Sequence, residues 1–281
     1  ATVTVGGAVQ SQTVSCNSGS YTADVVFTTG DGQKNVTVTQ TSATGVSGSD
    51  NRNFVRDNAS PLIAITGPAL NTEAKIGVTV TGTCENGIPI TLTGDITQTT
   101  ATCSSGTFSQ FVNFTAGDGI KNVVATQVDS ATNVGTSARD FKRDTAAPLI
   151  NIVGPNANTP AVNGLTVNGT CEQGYNVQLT GDITATSTTC PNGTFSAAVV
   201  FTAADGNKVV NVVQTDAAGN SGSDSRTFIK DSIAPSVTIT SPAANFPSLG
   251  SITVSGTCET GLNVALTGDI SPLNVSCTAG A

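Results

Sequence analysis

The chain has 281 residues with 30 Gly, 11 Pro and 10 Phe but no Trp or Met, a composition that favours several small domains over one large core. With 11 Lys and Arg against 19 Asp and Glu its formal charge is -8, so a phosphate backbone or an anionic membrane surface repels it and nucleic-acid binding is excluded as a function class. The absence of His removes imidazole bases, triads and imidazole metal sites, and 37% hydrophobic with only 11% charged residues, rich in Val and Thr, points to an all-β protein.

Ala1 follows no basic region and no apolar run, so the sequence is not expected to open on a secretion signal or a translation start. Residues 1–55 match the later part of a unit that then recurs. Its opening motif stands at Arg56-Asp57, Arg143-Asp144 and Lys230-Asp231, each followed by Pro61, Pro148 or Pro235, at a spacing of 87 residues. The same spacing relates the Gly-Thr-Cys-Glu segments that end at Glu85, Glu172 and Glu259, and it relates Cys16, Cys103, Cys190 and Cys277 without an insertion. The expected organisation is therefore a partial repeat (1–55), two complete repeats (56–142 and 143–229) and a partial repeat (230–281). The longest apolar stretches, 61–65 and 148–153, fall far short of the ~18 residues a membrane helix needs, so no membrane insertion is expected in this segment.

Within a repeat the hydrophobic period is 2. In the second complete unit Ile150 and Ile152, Leu165 and Val167, Val177 and Leu179, Phe195 to Phe201, Val210 and Val212, then Arg226 and Phe228 alternate with polar residues. Gly and Asp punctuate the gaps, as at Gly181-Asp182, Asp205-Gly206 and Gly219-Asn220. About seven short strands of this kind predict an antiparallel two-sheet sandwich.

The Asp-x-x-Ala-Pro opening (Asp144 to Pro148, Asp231 to Pro235), the Gly-Thr-Cys-Glu segments and the Leu-Thr-Gly-Asp-Ile segments at Leu92 and Leu179 make the chain similar to a known group. The Asp-Gly turns and the run from Thr215 to Asn220 add to the likeness. It resembles the tandem immunoglobulin-like domains of bacterial surface proteins and giant adhesins. The likeness covers the whole chain and is specific to architecture, not to a ligand. Antibody-type domains bridge their second and sixth strands around a Trp, whereas here Trp is absent and the cysteines fall on the second and fourth predicted strands.

Each Gly-Thr-Cys cysteine has another cysteine 19 residues on, which makes Cys84 with Cys103, Cys171 with Cys190 and Cys258 with Cys277 the economical disulfides. Cys16 has no such mate. Metal binding or a reactive thiol is the alternative, and it lacks any Cys-x-x-Cys or His. Disulfides in every repeat imply an extracytoplasmic home.

Most acids also recur once per repeat, which speaks for turns and junctions rather than a single catalytic pair, and no enzymatic activity is expected. Lys34, Lys121 and Lys208 beside the Asp-Gly turns are read as solvated, with a lysine crosslink as the alternative. Sequons at Asn35, Asn58, Asn113, Asn168, Asn192 and Asn274 share no register. With strands running alternately up and down, Asp144, Glu172, Asp216 and Asn220 gather at the upper end of the second complete repeat, facing Asp95 and Asp118 from the repeat before. The preceding junction gathers Asp57, Glu85, Asp129 and Asn133 with Asp31. Carboxylates without nearby lysine suit a hard cation, and Ca2+ at these junctions is one expectation; that Asp and Asn are good turn formers is the other.

The expected function is a stalk or fibre segment of a large extracellular surface protein, with neighbouring repeats of the same chain as its partners. A glycan- or protein-binding module and a self-polymerising filament, in which identical chains meet, stand as alternatives.

Overall fold

The structure is a computed structural model and describes residues 1–278; the last three residues of the expected partial repeat 230–281 lie outside it. The described residues hold no helix. They form two compact units, one of Ala1–Ala147 with Asp216–Asn220, the other of Pro148–Thr215 with the residues from Ser221 onward.

In the first unit, strands β1 (Thr2–Gly7), β2 (Gln12–Ser15), β3 (Gly32–Thr41) and β4 (Ser47–Arg56) make a single antiparallel sheet in the order β2-β1-β3-β4. There follow β5 (Ala64–Gly67), β6 (Glu73–Ala74), β7 (Gly77–Thr83), β8 (Ile90–Gly94), β9 (Thr99–Ala101), β10 (Thr107–Asn113), β11 (Gly119–Val128) and β12 (Val134–Arg143). They sort into a three-stranded sheet, β10-β7-β5, and a five-stranded one, β6-β12-β11-β8-β9.

The second unit repeats this plan with β13 (Asn151–Gly154), β14 (Pro160–Ala161), β15 (Gly164–Thr170), β16 (Val177–Gly181), β17 (Thr186–Thr188), β18 (Thr194–Val200), β19 (Gly206–Thr215) and β20 (Ser221–Lys230). The sheets are β13-β15-β18 and β14-β20-β19-β16-β17. Two hairpins close the described chain, β21 (Thr238–Ser241) with β22 (Ser255–Thr257) and β23 (Asn263–Leu266) with β24 (Leu273–Ser276).

Alternation along the strands builds the core. In β18 every second residue is buried, so Phe195, Ala197 and Val199 face inward while their neighbours face solvent. Val80, Phe108 and Val112 from one sheet meet Leu92, Val123, Ala125 and Phe141 from the other in one cluster, which defines a β-sandwich. Val167 and Val199 meet Leu179, Val212 and Phe228 in the same way in the second unit. Within the three-stranded sheet the backbone is crowded at Gly82 on β7, where a Cβ would lie 2.0 Å from the Ala64 carbonyl of β5 and 2.4 Å from the Phe108 ring of β10. Only a glycine admits β5 there.

The strand count corrects the expectation of about seven by one per repeat: β6 and β14 are two-residue strands parallel to β12 and β20. Two residues carry no period that alternation can detect.

Candidate functional site

The cysteines stand at the seam of each sandwich. Cys84 follows β7 in the small sheet and Cys103 follows β9 at the edge of the large one; they are bonded with a Cα–Cα distance of 5.9 Å, so the bridge ties sheet to sheet. Cys171–Cys190 does the same at 6.2 Å, and Cys258–Cys277 joins the last two hairpins at 6.0 Å. Cys16, beyond β2, is free and half-buried.

The recurring acids are held by local donors. Asp118 opens the turn before β11, where Gly119 takes the left-handed φ of 118° that an Asp-Gly turn requires. Its carboxylate accepts the Thr145 N–H (3.1 Å) and hydroxyl (2.8 Å) and pairs with Arg143 at 3.4 Å. The Thr145 hydroxyl and then its N–H hold the Asp118 carboxyl below its ordinary range. In the second unit Asp205 accepts the Ser232 N–H (3.0 Å) and hydroxyl (2.8 Å) and pairs with Lys230 at 3.1 Å. Those bonds, the Ser232 N–H first, bring its pKa down to about 2. Asp31 has one such partner, Arg56 at 3.2 Å.

The other expected ligands close turns. Asp129 accepts the N–H groups of Ala131 and Asn133 and the Asn133 side-chain amide, which lowers its pKa, while Asn133 also donates to the Asp57 carbonyl. Asp216 accepts the Asn220 N–H (2.7 Å) and side chain (2.8 Å), and Asn220 donates to the Asp144 carbonyl (3.1 Å). Burial pushes the Asp216 pKa up, and the hydrogen bonds from Asn220 outweigh it, for a net lowering. Asp57 and Asp144 each accept a backbone N–H two residues on, from Ala59 and Ala146, and Asp95 accepts the Asn122 N–H. Glu85 and Glu172 are exposed, and their backbones are held by buried Gln127 and Gln214.

Asp57, Glu85 and Asp129 do share one open cleft of about 550 Å³ with Ile88, Pro89 and Val128. Among the described residues, however, no three of Asp, Glu and Cys converge as a set able to hold a metal ion. The expectation that these acids stand without a nearby lysine fails at Asp144, whose carboxylate lies 3.5 Å from the Lys142 ammonium, and arginines accompany Asp118 and Asp31.

Lys34, Lys121 and Lys208 are buried, not solvated, which corrects the sequence reading. Each lies on the inward side of its strand, with Lys121 opposite Phe141, and its ammonium folds back to the preceding turn. Lys121 donates to the Ala116 carbonyl (3.0 Å), Lys34 to the Thr29 carbonyl and Lys208 to the Thr202 hydroxyl. These partners are backbone carbonyls and a hydroxyl, not the side-chain carboxyl or carboxamide of an Asp or Asn with which a lysine crosslink forms.

Sequence reasoning placed Arg226 on the alternating face of its strand without giving it a role and passed over Arg139, Gln127 and Gln214, although both pairs recur at the repeat spacing. Arg139 donates to the carbonyls of Ile65 and Pro68 at 2.8 Å each, and Arg226 donates to Val153 at 3.0 Å, to Pro155 at 2.7 Å and to Ile152.

No family model and no curated protein matches the sequence. Solved structures similar to it include a tetra-tandem repeat in the extending region of a large adhesion protein, 19% identical with a TM-score of 0.34 over 99% of this chain and 80% of that one. A 1.5-MDa bacterial ice-binding adhesin is 20% identical with a TM-score of 0.35 over 82% and 84%. Fibronectin(III)-like modules of Clostridium thermocellum CbhA are 16% identical with a TM-score of 0.38 over 60% and 94%. Identities and scores this low leave the β-sandwich assignment on the sheets and cores described above.

Proposed function

We propose that the chain is a stalk segment of an extracellular bacterial surface protein and that its work is spatial rather than catalytic. The observation that carries this reading is the treatment of each exit from a complete repeat. Asp118 binds Thr145, two residues past β12, and Asp205 binds Ser232, two residues past β20, each through a backbone N–H and a hydroxyl. A linker whose first residues are bonded to the domain they leave has less freedom than a flexible tether, and it transmits position along an array. The disulfide in each repeat supports an oxidising compartment. Most of the recurring aspartates are engaged in turns and exits, while Glu85 and Glu172 are exposed.

In this reading the stiffness of the junctions comes from these bonds and needs no calcium. Small-angle scattering of the whole chain tests it. The Asp118→Ala, Asp205→Ala double variant should lose maximum dimension relative to the parent while keeping its β-sheet spectrum. Equal dimensions for the two proteins would sink the reading, and a gain of length on adding calcium would return the cation to the junctions.

A further inference from the structure

A stalk is pulled from its ends, so the strands that matter under load are the first and the last of each repeat. In the first complete repeat these are the segment carrying β5 and β6, and β12. They run parallel where they meet: Asn71 N–H donates to the Asp140 carbonyl (2.9 Å), Lys142 N–H to Thr72 (3.0 Å) and Asp144 N–H to Ala74 (3.2 Å). The second unit repeats the ladder, with Asn158 to Thr227 (2.8 Å), Ile229 to Thr159 (3.2 Å) and Asp231 to Ala161 (3.1 Å). Tension enters a repeat at the first segment and leaves through the last strand. Parallel strands drawn apart in that way slide along each other, so all their cross-bonds resist together instead of opening one at a time.

Across this same seam runs one long side chain per repeat. From β12, Arg139 forks to the carbonyls of Ile65 and Pro68; from β20, Arg226 reaches Ile152, Val153 and Pro155. Both sit on the inward parity of their strands, opposite Val123 and Val210, with the guanidinium directed to backbone that no other strand serves. A guanidinium donates several fixed, charge-assisted bonds at once, which a lysine cannot reproduce. Ser137 and Asp224 add a bond each, to the N–H groups of Ile65 and Ile152.

We propose that Arg139 and Arg226 are tension ties: they fasten the first segment of each sandwich to its last strand and set the force at which the repeat opens. The proposal rests on the stalk reading for its purpose, and on the hydrogen bonds alone for its mechanics.

The test stretches the full chain at constant force from handles on its two ends. Two large opening events, one per complete repeat, are expected. In Arg139→Leu one event becomes faster at the same load by about tenfold or more, the other serving as internal control, and Arg139→Leu with Arg226→Leu accelerates both. Arg139→Lys, which keeps charge and packing but loses the fork, should also accelerate its event, and it decides the matter if the leucine variant fails to fold. Leu92→Ala supplies the comparison, since it lowers chemical stability from a core position that joins neither first nor last strand. If Arg139→Lys opens under load at the parent rate, or the Arg variants open no faster than a Leu92→Ala protein of matched chemical stability, the tie is refuted. Scattering reads the stalk separately, so either idea can fall while the other stands.

Discussion

The four-stranded sheet β2-β1-β3-β4 and the five-stranded sheet β6-β12-β11-β8-β9 carry the same residue pattern, yet they differ in what they bury. Phe141 on β12 is 0% exposed and Phe54, its equivalent on β4, is 44% exposed. The cause is the facing sheet. Phe141 lies against Phe108 and Val112 from β10 and Val80 from β7, whereas the cluster on the four-stranded sheet consists mainly of small valines from that sheet, with Ala23, Val25 and Phe27 partly covering it. Alternation decides which side of a strand is apolar; only a second layer turns that side into a core.

The largest expected difference between the two regions is therefore in large-to-small substitution. Phe141→Ala should cost its repeat about 3–5 kcal/mol, and Phe54→Ala about 1 kcal/mol or less, in denaturant unfolding. Similar losses at the two sites would mean that the four-stranded sheet is covered in solution.

Next comes the covalent tie. Cys84→Ser with Cys103→Ser should lower the stability of the first complete repeat by about 3 kcal/mol, because a 19-residue separation is released in the unfolded chain. Cys16→Ser should leave stability unchanged, as its thiol is free. A large effect at Cys16 would reveal a partner for it.

Acid sharpens the contrast at the exits. The folded pKa of Asp205 lies near 2 against an ordinary 3.8, so its contribution is complete above about pH 4 and fades as the pH falls towards 2. The shift at Asp118 has the same sign. A melting curve followed through that window should flatten in Asp205→Asn, and an unchanged acid limb would show that the Ser232 bonds contribute nothing to folding. The smallest effect expected is that of chelation: EDTA should leave the melting curve in place, and a clear downward shift would show that a cation holds the junctions.

Much of the fold was legible in the sequence because it depends on alternation and recurrence. Ile152, Val167, Leu179, Val212 and Phe228 mark their strands by period, and the cysteines recur in step with them. What escaped has a different physical basis. Strands β6 and β14 owe their existence to the neighbour they lie beside. Lys121 was read by its charge and its turn, yet its strand parity, opposite Phe141, governs its burial. The acids were legible as positions at the domain ends, but not as acceptors already supplied with donors, because Thr145 and Asn220 reach them through folding rather than through spacing.

The exit bond sets what a repeat must present to the one before it. Asp118 and Asp205 ask of the residue that follows only an N–H and a hydroxyl, which threonine provides in one case and serine in the other. A copy of the second complete repeat, which opens on Thr145, brings its own core, its own disulfide and the hydroxyl that an exit acid accepts, whereas the first complete repeat has Asn58 at the equivalent position. Where that hydroxyl is present, the boundary asks nothing else of the repeat that follows, so a junction of this kind is specified by two residues and not by a matched pair of surfaces.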